Sequence, residues 1–154
     1  PTIRLSQLAH LFFKSQSLYH LLEEYPPTET LYAFFRVETD VYWETHFKFD
    51  VRSQSAVKPL GKVAFHSLVI NTVVPFLFFS YTRSGQQRLK DYAMDLLAGL
   101  DAEANKKTNL FTELERKALN ALESQAQTEL YDRLCSKKAC LRCNVAEFLL
   151  KASV

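Results

Sequence analysis

Three cysteines stand close together near the end of the chain, Cys135, Cys140 and Cys143, at the spacing C-x4-C-x2-C. Three thiolates at loop spacing can supply three corners of a tetrahedral zinc site, and the same spacing opens the plant-type iron–sulfur pattern. Either site needs a fourth ligand. No cysteine follows Cys143, so His10, His20, His46 or His66 would have to be delivered by the fold. Lys137, Lys138 and Arg142 are interleaved with the thiols, and their charge is expected to lower the thiol pKa values and stabilise thiolates or an anionic cluster. The same three cations suit phosphate oxygens, which makes the loop a candidate nucleic-acid contact as well as a candidate metal site. The plainer reading, reduced cysteines packed in a small loop between two helices with no metal, is preferred to both.

Little else in the chain has the spacing of a chemical site. Each histidine stands alone in its segment and forms no H-x-x-x-H pair. Tyr42, Trp43 and His46 fall on one turn, where an aromatic corner is favoured over a pocket lining. Glu23 and Glu24, Asp91 and Asp95, and Glu113 and Glu115 lie on polar helix faces and read as solvated charge. No nucleophile elbow, P-loop or dinucleotide fingerprint occurs. The sequence therefore names no catalytic residue and leans away from an enzyme.

The elements that must position the cysteine loop follow from composition and periodicity. At 154 residues, with 47% apolar and 23% charged residues, the chain has the size and balance of one soluble globular domain. Three glycines and five prolines are too few for the many turns of a β-sandwich or barrel, which favours an all-α fold of six to eight helices. A net charge of +2 is too small to identify a partner. The cysteines are too few and too clustered to staple a secreted scaffold, so a reducing, cytoplasmic setting is expected.

Leu5, Leu8, Ala9, Phe12 and Phe13 recur at i, i+3, i+4, i+7 and i+8, an amphipathic helix with this stripe inward, broken by Lys14-Ser15-Gln16-Ser17. Leu18, Leu21, Leu22 and Tyr25 restart the period, and Pro26-Pro27 ends it. Thr28 is a ready N-cap for a helix burying Leu31, Phe34 and Phe35. A short helix or hairpin-like piece is expected near Tyr42 and Trp43, followed by an exposed connection. Beyond Gly85, Leu89, Tyr92, Ala93, Leu96, Leu97 and Leu100 mark a helix capped by Ser84 and stopped near Gly99. A polar segment from Glu103 to Asn109 then leads to a Thr112-to-Glu115 capping box and a helix with Leu114, Ala118, Ala121 and Leu122 inward. Ser124 and Gln127 suggest a further start or bend, and Asn144 with Glu147 opens a last helix.

The organising element is Val63 to Tyr81, nineteen residues without a formal charge, interrupted by Pro75. Its length meets the criterion for a membrane span, but His66, Ser67, Asn71, Thr72 and Ser80 argue for a buried, proline-kinked core helix. Pro75 should free a carbonyl near Asn71, where the Asn71 and Thr72 side chains are placed to help.

PTIRLSQLA (Pro1 to Ala9), YWETHF (Tyr42 to Phe47), LGK (Leu60 to Lys62), INTVVPFLF (Ile70 to Phe78) and DRLCSKKACLRC (Asp132 to Cys143) together carry a resemblance. The chain resembles the C-terminal part of an uncharacterised bacterial family, catalogued only as a domain of unknown function. The resemblance implies a portion preceding Pro1, because family members are longer, and it implies no activity, cofactor or catalytic residue. Residues 1–154 are thus expected to form one helical domain with a cysteine-bearing loop at 135–143, a non-catalytic module that supports or docks the preceding portion, with the basic cysteine loop as its contact surface, and has no membrane partner. The alternative is a nucleic-acid-processing protein in which Cys135, Cys140 and Cys143 hold zinc or an iron–sulfur cluster while Lys137, Lys138 and Arg142 meet phosphates.

Overall fold

The computed structural model describes residues 2–13 and 17–152 and is helical, as expected from composition. The expected break at Lys14, Ser15 and Gln16 lies outside the described residues. The chain divides into two compact units, Pro1–Leu96 and Leu97–Val154. Among the described residues of the first unit, α1 (Thr2–Phe13), α2 (Leu18–Glu23), α3 (Thr28–Phe35) and α4 (Val41–Glu44) precede an antiparallel hairpin. The hairpin pairs β1 (His46–Lys48) with β2 (Val51–Arg52), matching His46 to Arg52 and Lys48 to Val51. Its turn holds Asp50 at a φ of 58°, a left-handed conformation that aspartate tolerates better than most side chains.

After α5 (Lys62–Leu68) the helix continues through a π turn, Val69–Val73, into α6 (Val74–Ser84). The Val74 amide donates to the Val69 carbonyl, one residue further back than in an α-helix. The register thus widens directly before Pro75, the residue that has no amide to donate. Phe65, Val69, Val73 and Leu77, four apart, form the buried stripe of this helix, joined by Ile70 and Val74. Ser67, Asn71 and Pro75 run along the exposed side, and there the Asn71 amide donates to the Ser67 carbonyl at 2.8 Å. By length and composition Lys62–Ser84 could cross a membrane, but it is not apolar core on every side: 33% of its most apolar window is buried, and Val63 and Phe79 are 85% and 62% exposed.

The first unit's core collects around this stripe. Phe65 meets Tyr32 at 5.1 Å and Phe35 at 6.0 Å between ring centroids, and Leu21, Leu22 and Leu31 are buried nearby in sequence order on α2 and α3. Helix α7 (Gln87–Gly99) passes from the first unit into the second and buries Tyr92, Ala93, Leu96 and Leu97 on the face its periodicity marks. The Tyr92 hydroxyl donates to the Pro26 carbonyl at 2.7 Å, which ties the diproline turn down. Ser84, expected to cap α7, is instead the last residue of α6; its hydroxyl donates to Ser80 O and accepts from the Gln86 amide. Thr28 likewise begins α3, with Pro27 in the capping position.

The largest departure in the first unit is α1. Ile3 and Gln7 are the residues it buries, while Leu5, Leu8, Phe12 and Phe13, expected inward, are 64%, 46%, 80% and 91% exposed. The helix exists where the periodicity places it, but it is turned the other way.

In the second unit, α8 (Lys106–Glu113) lies over the segment read as polar connection, because Asn105 and Thr108 form a reciprocal capping box. Thr112 to Glu115 is the helix end instead of a start. Glu115 takes a φ of 59°, and bonds from Arg116 N to Phe111 O and from Glu115 N to Thr112 O close a Schellman ending. Leu114, expected inward, is 70% exposed. Helix α9 (Ala121–Leu130) starts at Asn120, whose side chain accepts from the Glu123 amide. Ser124 is buried inside it, donating to Ala121 O and accepting from the Glu103 amide.

Candidate functional site

The cysteine loop is built by the end of α9. A π turn, Tyr131–Cys135, extends that helix and carries Cys135 to its tip. Lys138 then reverses the chain at a φ of 52°, with Ala139 N reaching Leu134 O and Lys138 N reaching Cys135 O, both at 3.0 Å. These are the two bonds of a Schellman ending, made with lysine where glycine is usual. A single 3-10 turn, Cys140–Arg142, follows and leads through Cys143 into α10 (Asn144–Ala152). Cys143 accepts from the Glu147 amide at 2.9 Å, so it anchors the start of α10.

All three thiols are free; Cys135 and Cys140 are exposed and Cys143 is buried. The Cys135 thiol is pushed up, first by burial and then by the neighbouring Cys143 and Cys140. That direction is opposite to the one expected from Lys137, Lys138 and Arg142. The reason is that burial disfavours the thiolate and the neighbouring sulfurs would carry like charge if ionised, whereas the three cations stand out in solvent. Among the described residues no group of three or more His, Cys, Asp or Glu side chains is arranged to hold a metal ion. Two of the histidines considered as fourth ligands have local roles: His20 meets Glu23 at 3.1 Å, and His46 stacks on Tyr42 at 4.1 Å with the rings 2° from parallel.

The charge around the loop is uneven in a way that spacing alone does not reveal. Asp132 is paired with Lys107, Glu129 with Arg133, and Glu147 with Lys151. Lys137, Lys138 and Arg142 are exposed, and among the described residues their side chains have no acidic partner. The loop therefore presents three uncompensated positive charges. Beside Cys135 lies a small apolar cleft of about 290 Å³, walled by Leu110, Phe111, Leu114 and Tyr131. The sequence hid this cleft because Leu114 fits the stripe of a helix that does not form.

The expected aromatic corner near His46 is present. Tyr42 also meets Trp43 edge-on at 5.1 Å, and its hydroxyl accepts from the Asp50 amide. His46 Nδ1 lies 2.9 Å from Tyr42 O and 3.0 Å from Thr45 Oγ1, so this imidazole is occupied within its own turn.

The model of a family described as "Protein of unknown function (DUF2851)" matches residues 1–106. The matched stretch includes PTIRLSQLA, YWETHF and INTVVPFLF and ends before the cysteine loop. No curated protein and no solved structure matches the chain.

Proposed function

We propose that this chain, which belongs to the DUF2851 family of proteins of unknown function, is a non-catalytic helical interaction module whose docking element is α1. The observation that carries the proposal is the outward stripe of Leu5, Leu8, Phe12 and Phe13 on that helix. Single exposed apolar residues are ordinary, but four large ones along one helix face are the composition of an interface. The occupant we propose is a preceding portion of the same polypeptide, which the resemblance to a longer family implies. The stripe also lies within the stretch that the family model matches. The proposal includes a cytoplasmic setting and no membrane partner, in keeping with three free thiols.

A photo-crosslinking amino acid in place of Phe12, in the longest natural form of the polypeptide, tests this. The expected product is an intramolecular crosslink to a segment preceding Pro1. Crosslinking between copies, to another protein, or to nothing would overturn the reading.

A second reading is favoured by the unpaired Lys137, Lys138 and Arg142: the loop contacts nucleic-acid phosphates. Binding of duplex DNA would then weaken with salt, with a slope of log K against log salt of about −2.7 for three phosphate contacts, and would vanish in K137A/K138A/R142A. Salt-independent or unchanged binding would reject it. Metal analysis of anaerobically purified protein decides whether Cys135, Cys140 and Cys143 hold zinc or an iron–sulfur cluster.

A further inference from the structure

Between α2 and the C-terminal half of α6 lies a cleft of about 370 Å³ with apolar walls and one charge of each sign. Leu22, Phe76 and Leu89 contribute the apolar surface, and the Tyr19 ring meets Phe76 edge-on at 6.4 Å. Glu23 and Arg83 both line it but do not pair with each other.

The two charges are differently held. The Glu23 carboxylate accepts from the Tyr19 hydroxyl and sits 3.1 Å from His20 Nδ1, so its position is set by two side chains one turn earlier on α2. The Tyr19 phenol is raised above its usual range, first by that bond and then by the carboxylate's charge. Neither partner is a permanent cation. Arg83, in the last turn of α6, faces the negative end of its own helix, and among the described residues it has no acidic partner. Tyr25 closes one side, with its ring already covered by the Arg88 guanidinium at 4.1 Å and by Tyr92 at 5.4 Å. That arrangement leaves Arg83 as the free guanidinium of the lining.

A ligand with only an anionic group would satisfy Arg83 and be repelled by Glu23, and a simple cation would meet the reverse. We infer that this cleft is a binding site for a small zwitterion with an apolar body, the chemistry of an apolar α-amino acid, its carboxylate on Arg83 and its ammonium on Glu23. The volume lies within the range of small-molecule sites. A guanidinium can hold a carboxylate with two parallel hydrogen bonds, which fixes the orientation of the ligand.

The test is calorimetric titration with L-phenylalanine, 3-phenylpropanoate and 2-phenylethylamine, which share a ring and differ in their charged ends. L-Phenylalanine is expected to bind about tenfold or more tightly than either amputated analogue, since each loses a bond to a charged group. In Arg83→Gln the advantage over 2-phenylethylamine should disappear, and in Glu23→Gln the advantage over 3-phenylpropanoate should disappear. The two substitutions lie on different helices, and circular dichroism of each reports whether it folds. Equal binding of all three compounds, indifference to both substitutions, or no binding of L-phenylalanine up to its solubility would overturn the inference.

Discussion

The side-chain amide of Gln7 donates to the backbone carbonyl of Lys58 at 2.7 Å, joining α1 to a loop fifty-one residues away. Gln7 is 3% exposed, and its own carbonyl accepts from Arg4 at 2.6 Å. A buried amide with both ends satisfied holds α1 in one rotation, and in that rotation the Leu5–Phe12 stripe faces outward.

Replacing Gln7 with Ala strips a partner from a part-buried carbonyl and is expected to cost about 1–3 kcal/mol in denaturant unfolding. Phe12→Ser in the same chain should change stability by about 0.5 kcal/mol or less, as at other exposed positions. The opposite ranking would show that the stripe is covered in solution.

Lys58 itself holds the neighbouring loop. Its ammonium donates to the carbonyls of Trp43 at 2.9 Å and Glu44 at 2.5 Å and to Ser53 Oγ at 3.1 Å, beneath the Phe47 ring. Lys58→Met keeps the stem and removes all three donors. Hydrogen exchange should then accelerate at the Ser53 and Ala56 amides, which bond to Thr45 O and Glu44 O. Unchanged protection at both would mean the backbone bonds hold the loop alone.

Burial holds the Tyr92 phenol far above its usual range. The folded chain keeps a proton there that the unfolded chain releases above about pH 10, so the stabilising contribution is full below that pH and is lost as pH rises beyond it. Tyr92→Phe should be less stable near neutrality, having lost its bond to Pro26, but should lose stability less steeply between about pH 10 and 11. Parallel pH curves for the two proteins would contradict the assignment.

The raised Cys135 thiol should alkylate more slowly at pH 8 than a free cysteine, because less of it is thiolate. Replacing Cys140 and Cys143 with Ser removes two of the three causes and should move the pH midpoint of Cys135 alkylation downward. If Cys135 reacts faster than free cysteine, Lys137, Lys138 and Arg142 control the site after all.

Much of the fold was legible because its signals are local. The Leu89 to Leu100 face, the diproline stop after α2 and the uncharged helix before Tyr81 can be read within one or two turns of chain. Leu114 misled because a Thr112–Glu115 pair resembles a capping box, while Asn105 and Thr108, the box that forms, lacks the usual acidic residue. The candidate site was legible only as composition. Spacing located the three thiols and three cations, but it did not indicate that Asp132, Glu129 and Glu147 would pair elsewhere, or that burial and the neighbouring sulfurs would raise Cys135.

The sequence by itself determined that this is a helical protein, that a diproline stops its second helix, and that one proline-bearing apolar helix runs through the middle of the chain. Those properties depend on backbone donors, side-chain period and caps a few residues apart. Only the tertiary structure decided that Gln7, not Phe12, turns inward, that the central helix is buried along one stripe, and that Arg83 and Glu23 line one cleft without pairing with each other. A helix with two usable faces has no local reason to choose between them; the choice belongs to bonds such as Gln7 to Lys58, made across long separations in sequence.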